Sequence, residues 1–198
     1  MEPRPPKRAF VIADPGMAAA ILSGRKTQMR VPMAGPLARA APGERLWLRE
    51  ACIAGRLVDG QVYATSLAKA DFVIFADGWR QHRDGSSQAG RRPTDPDHRW
   101  MTALHMPRWA SRATLLVSSA RMERLQAIGR ADIRAEGARP LAGGLLWRWP
   151  PPIPGLHGSA RRAFARYWDI QHAAPGERWQ DDPEVMVLGF RVEKPGGA

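Results

Sequence analysis

Short stretches in which apolar residues recur at every second position, each cut off by glycine or proline, constrain this chain more than any other feature. Arg45 to Ala51 sets Leu46 and Leu48 on one face and Trp47 and Arg49 on the other, the pattern of a half-buried strand. Leu57-Val58-Asp59-Gly60-Gln61-Val62-Tyr63 places apolar residues on both sides of Asp-Gly, a local hairpin signal. Ala9 to Ala13 and Ala113 to Ala120 are further strand candidates. Near the end, Met186, Leu188, Phe190 and Val192 alternate with Val187, Gly189 and Arg191, which predicts a closing strand. Between these strands the helix signals are few. Asp14-Pro15 offers a cap and a first-turn proline to a helix with Met17, Ala20 and Ile21 inward and Gly24 at its end. Arg130 to Glu136, bounded by Gly129 and Gly137, reads as a second short helix. Ser159 opens a third, with Ala160, Ala163, Phe164, Tyr167 and Trp168 at helical spacing. The expected class is α+β: a small β-barrel of five to six mostly antiparallel strands with two to three short helices.

A chain of 198 residues is slightly long for such a barrel, so two loop insertions are expected in a single domain over residues 9–194. Residues 80–99 are built from Arg, Asp, Gly, Ser, Gln and Pro and read as a mobile surface segment. Residues 139–158 are rich in Pro and Gly yet carry Leu145, Leu146, Trp147 and Trp149, which suggests a lid with its tryptophans exposed. Residues 1–8 and 195–198 read as tails.

Lys and Arg number 30 against 19 Asp and Glu, a formal charge of +11, and such a field attracts polyanions. Only four of the cations are lysines, Lys7, Lys26, Lys69 and Lys194, so an arginine-biased coding background is an alternative source of the charge. Cys52 is the sole cysteine, which excludes an intrachain disulfide and any paired-cysteine zinc site. The five histidines have no metal-site spacing. No metal and no cofactor are expected, and no dinucleotide or P-loop glycine pattern is present. The start is basic and proline-rich without a hydrophobic signal core, and no apolar run approaches a membrane span; a cytoplasmic protein without a membrane partner is the expectation.

Three segments in order, Ile21-Leu22-Ser23-Gly24-Arg25-Lys26-Thr27, Pro42-Gly43-Glu44-Arg45-Leu46-Trp47-Leu48-Arg49-Glu50 and His105-Met106-Pro107-Arg108-Trp109-Ala110-Ser111-Arg112, together resemble the ASCH family of the PUA-like group, in the version found in phage and prophage genomes. Glu123 to Gly137 and the last strand through Phe190 and Arg191 extend the likeness; residues 80–99 and 139–158 fall outside it. The resemblance implies a PUA-like barrel with a basic cleft, and members of the wider group bind RNA or modified nucleosides. More distant relatives, the 4-acetylcytidine amidohydrolases, use a lysine, a threonine three positions later and a later glutamate. Lys26 and Glu136 match the first and last, while the threonine position is Met29, whose thioether supplies neither a nucleophilic oxygen nor a proton.

Lys26 and Glu136 are thus candidate catalytic residues for proton transfer in a metal-independent hydrolase acting on RNA or an N-acylated nucleoside, with water or a ribose hydroxyl as nucleophile. Arg25, Thr27, Arg30, Trp47, Arg49, Glu50, His105 and Arg108 are candidate ligand contacts, guanidinium forks for phosphate and an indole for a base. Each has an ordinary alternative. Lys26 and Arg30 could simply complete a helix dipole, Arg49 and Glu50 could pair across strands, and Trp47 and Trp109 could be core. The first expectation is a domain that binds RNA, single-stranded nucleic acid or a nucleoside. The hydrolase and a phage-derived accessory protein that binds another protein are the alternatives.

Overall fold

The computed structural model describes residues 9–59, 61–94, 99–151 and 153–193. Both expected tails, Gly60 and His98 lie outside the described residues. The fold is mixed α+β with mostly antiparallel sheets and few helices. Among the described residues no sheet closes into the expected barrel.

In chain order the strands are β1 (Phe10–Ala13), β2 (Gln28–Pro32), β3 (Arg45–Glu50), β4 (Cys52–Val58), β5 (Gln61–Ala64), β6 (Phe72–Phe75), β7 (Arg80–His82), β8 (Ser87–Gln88), β9 (Trp100–Met101), β10 (Thr114–Arg124), β11 (Arg139–Leu141), β12 (Leu146–Arg148) and β13 (Glu184–Glu193). The α-helices are α1 (Pro15–Leu22), α2 (Arg130–Ala135) and α3 (Ala160–Gln171). The chain divides into two compact units, one holding residues through Ala18 with Leu46–Thr114, the other Ala19–Arg45 with Leu115–Val192.

In the first unit β1 lies parallel to β3, with Phe10 beside Trp47 and Ile12 beside Arg49. A second, antiparallel sheet runs β5-β4-β6-β7-β8, with β9 also on β4. Its β4–β5 turn is the hairpin the sequence predicts, with Val58 opposite Gln61 and Asp59 in the left-handed region at φ 49°. Strand β6 is buried throughout; as an unbroken apolar run it has no alternation to reveal it. It packs so closely on β4 that a Cβ at Gly55 would stand 2.4 Å from the Phe72 ring. The expected surface insertion begins instead as sheet: β7 and β8 pair, and the buried Gln81 amide donates to the carbonyls of Gly85 and Ser86, each at 3.3 Å. A local turn satisfies the polar chain, so an apolar residue is not needed to hold it inside.

In the second unit the strand order is β10-β13-β2, with Val187 opposite Arg30 and Leu188 opposite Met29. Strand β13 is central, and for that reason Val185 and Val187 are buried as well as Leu188 and Phe190. Helix α3 starts where Ser159 Oγ accepts the Arg162 N–H, and it buries Ala163, Phe164 and Trp168 while Arg161, Arg162 and Arg166 stay outside. Helix α1 is capped as expected, Asp14 Oδ1 accepting from Met17 N at 2.8 Å, and Gly24 follows it at φ 72°.

Residues 139–158 correct a second expectation. Strands β11 and β12 form a hairpin whose Trp147, like the following Trp149, is only 3% exposed. Trp149 meets the Phe164 ring edge-on at 5.6 Å and Tyr167 at 4.8 Å. These tryptophans are core, not an exposed lid. Trp147 Nε1 donates to Gly144 O at 3.0 Å, which leaves the indole free to bury its apolar area at no cost of an orphaned donor. Leu145 at the tip is exposed.

Candidate functional site

The second unit brings Lys26, Arg30 and Glu136 together. After α1, the amides of Arg25 and Lys26 both donate to Ala20 O at 2.9 Å, and Thr27 N donates to Ala135 O at 2.8 Å. This fixes the segment entering β2 against the end of α2. Lys26 Nζ donates to Glu136 Oε2 at 2.6 Å and to the Glu136 carbonyl at 3.1 Å. Arg30 Nη1 holds the other carboxylate oxygen at 3.1 Å. Arg30 also pairs with Glu123 and, at 3.4 Å, with Asp132. Arg121 closes the array, at 3.2 Å from Glu123 and 3.0 Å from Asp132.

Three cations therefore face three carboxylates along a gradient of exposure. The side chains of Lys26 and Glu136 are 3% and 2% exposed, while Arg121 reaches 44%. Burial opposes ionisation of Asp132, but the Gly129 N–H and the Arg30 guanidinium prevail and hold it below the usual carboxylate range. Strand alternation puts Gln28 and Arg30 on one face of β2 and the buried Met29 on the other. Position 29 thus lacks a nucleophile and also points away from the ionic array. Of the other candidates in this unit, Thr27 is exposed and outside the array. Arg25 is half-buried, its Nε meets no partner, and its pKa is lowered, by burial first and then by the charge of Arg139.

The remaining candidates belong to the first unit and split between the two faces of β3. Trp47 is buried, and the Arg49 guanidinium stands 4.1 Å from the centroids of both the Phe10 and the Trp47 rings. Arg49 also donates to Leu104 O at 3.0 Å, and the exposed Arg108 lies 5.4 Å from the Trp47 ring. The indole expected as a base platform is thus already covered by cations. His105 is exposed, its Nδ1 2.9 Å from Thr102 Oγ1. Glu50 does not pair with Arg49. It is buried, and Arg112 grips it with two hydrogen bonds of 2.8 and 2.6 Å while reaching Asp77 at 2.7 Å. Burial pushes the Glu50 carboxyl up, against the pull of Arg112. Asp77, less buried, is drawn down by Arg112 and the Trp79 N–H despite its desolvation.

No family model matches this chain, and no curated protein or solved structure matches it.

Sequence reasoning passed over Arg112, Asp77, Glu123, Asp132 and Arg121. A signal existed for one pair: Arg121 and Glu123 stand two apart on a strand and so share a face. Nothing local links Arg112 to Glu50, 62 residues away.

One further arrangement concerns bare charge. Arg139 and Arg148 are directly opposite in the β11–β12 hairpin, so their side chains share a face, and both are exposed. Like charges so placed repel. Neither they nor Arg25 form an ion pair among the described residues.

Proposed function

We propose that this protein binds a polyanion, RNA or single-stranded nucleic acid, through the arginine surface of its second unit, as an ASCH-type member of the PUA-like group acting in the cytoplasm. The observation that carries the reading is the uncompensated cluster of Arg25, Arg139 and Arg148. Arg139 and Arg148 repel across the hairpin, and Arg25 feels the Arg139 charge while its Nε has no protein partner. A phosphate chain relieves that repulsion, supplies acceptors to guanidinium forks and releases its own counterions. The formal charge of +11 brings such a ligand in.

The test is fluorescence anisotropy of a labelled single-stranded RNA over a range of salt. Binding is expected to weaken as salt rises, and R139Q/R148Q is expected to lower the slope of log K against log salt by roughly 1.4, about 0.7 for each phosphate that an arginine no longer neutralises. Absence of RNA affinity at low salt, or an unchanged slope in the double variant, defeats the reading and favours a protein partner.

A hydrolase is the second reading, favoured by the 2.6 Å contact of Lys26 with Glu136, a distance suited to proton transfer. Against it stands the near-complete burial of both groups, which closes them to a substrate in this conformation. Turnover of RNA or 4-acetylcytidine that is lost in Glu136→Gln, with metal chelated, would establish it.

A further inference from the structure

A pocket of about 390 Å³ opens between α2 and the β11–β12 hairpin, lined by Arg130 and Arg134 on one side and by Pro140, Leu141, Trp147 and the turn 142–144 on the other. Residues four apart on a helix are neighbours on one face, so the two arginines present their guanidinium groups together. No acid lines the pocket. Asp132, the carboxylate between them in sequence, is engaged by Arg30, Arg121 and the Gly129 N–H. Neither Arg130 nor Arg134 makes an ion pair among the described residues.

The opposite wall is apolar and built to stay open. Ala142, Gly143 and Gly144 follow one another at φ 46°, 66° and 91°, a left-handed turn that two glycines tolerate at no steric cost. A Cβ on either glycine would meet nothing within 4 Å. Trp147 is buried and its Nε1 is committed to Gly144 O, so the wall does not need a ligand to form.

We propose that this pocket binds a nucleoside 5′-phosphate, its phosphate on Arg130 and Arg134 and its ring against Pro140 and Leu141. Two forked cations without a counter-charge match a phosphomonoester, which carries between one and two negative charges at neutral pH. The volume lies low in the range of about 300–1,000 Å³ usual for small-molecule sites. It suits one nucleotide unit and not a run of them. The same chemistry is offered by a free nucleotide and by the phosphorylated 5′ end of a chain. The pocket lining does not include Arg25, Arg139 or Arg148, and either assignment stands or falls without the other.

Isothermal titration of the full chain with adenosine 5′-monophosphate, adenosine and inorganic phosphate tests the proposal. The monophosphate is expected to bind at least tenfold more tightly than either fragment, and R130A/R134A to lose at least tenfold with an unchanged melting temperature. R130K/R134K, which keeps the charge and removes the forks, is expected to fall between. A 5′-phosphorylated oligonucleotide that gains affinity over its 5′-hydroxyl twin, with the gain abolished in R130A/R134A, assigns the chain end; no such gain, with the monophosphate still bound, assigns the free nucleotide. Equal binding of adenosine and the monophosphate, phosphate binding as tight as the nucleotide, or an unaltered R130A/R134A overturns the proposal. Intact salt-dependent RNA binding alongside any of those results leaves the polyanion reading in place.

Discussion

Each unit buries an ionic constellation, and the two are mirror images in charge. In the first, one cation, Arg112, serves two carboxylates, Glu50 and Asp77. In the second, one carboxylate, Glu136, serves two cations, Lys26 and Arg30. A carboxylate in excess has an escape, since it can take up a proton at accessible pH, and Glu50 already leans that way. An arginine in excess has none, because guanidinium does not lose its proton in proteins. Arg30 must therefore be neutralised by other carboxylates, and the second unit does so with Glu123 and Asp132, ending in Arg121 at the surface.

The largest expected consequence is at Glu136. Glu136→Ala leaves Lys26 and Arg30 facing each other with no charge between them, and urea unfolding should show a loss of about 3–5 kcal/mol. A loss below 1 kcal/mol would mean that Glu123 and Asp132 alone neutralise the centre. The acid-rich centre should yield less. Arg112→Ala is expected to cost about 2–3 kcal/mol at neutral pH, because Glu50 can protonate and so limit the penalty of an unpaired buried charge. The sign of its pH dependence follows. A carboxyl with a folded pKa above its unfolded value binds its proton more tightly when folded, so its contribution is lost as pH rises through the folded value. Arg112→Ala should thus be nearest to wild type below about pH 4.5, the ordinary glutamate value, and fall behind above it; a parallel curve would refute the escape.

A smaller effect is expected at His172, whose ring lies 4.0 Å from that of Trp168 and whose pKa burial lowers from 6.5, with Glu177 opposing. A histidine depressed on folding contributes stability above its unfolded pKa and loses it as pH falls through the folded one. The melting temperature should decline between pH 7 and pH 5, and His172→Gln should flatten that decline by about 1–2 °C. An unchanged slope would place the acid sensitivity of this range in another group, since Asp77 and Asp132, held below the ordinary aspartate value of 3.8, lose their contribution only at lower pH.

What was legible in the sequence was mostly local. Asp14 and Ser159 cap helices with their own side chains, Asp59 turns a hairpin by its backbone angle, and alternation exposed β3 and β13. Each of those signals is complete within a few residues. Trp147 and Trp149 misled because a proline-rich neighbourhood describes a loop while saying nothing of the strand pairing that turns the rings inward. The Lys26–Glu136 encounter spans 110 residues; only the family resemblance suggested it, and no local pattern announces that Arg30, Glu123 and Asp132 complete it. Nor does a residue type announce burial: Arg112 and Arg30 are inside, whereas Arg139 and Arg148, of the same chemistry, are outside.

The only thiol in the chain belongs to Cys52, fully buried in β4, and its pKa is pushed up to about 12 by burial and by the nearby Glu50. At working pH it is neither ionised nor reachable, and only a thiolate alkylates readily. The protein is therefore a silent background for site-directed labelling. A cysteine introduced at Leu145, on the open tip of the β11–β12 hairpin, would carry a spin label or fluorophore alone, with no need to remove the native sulfur first.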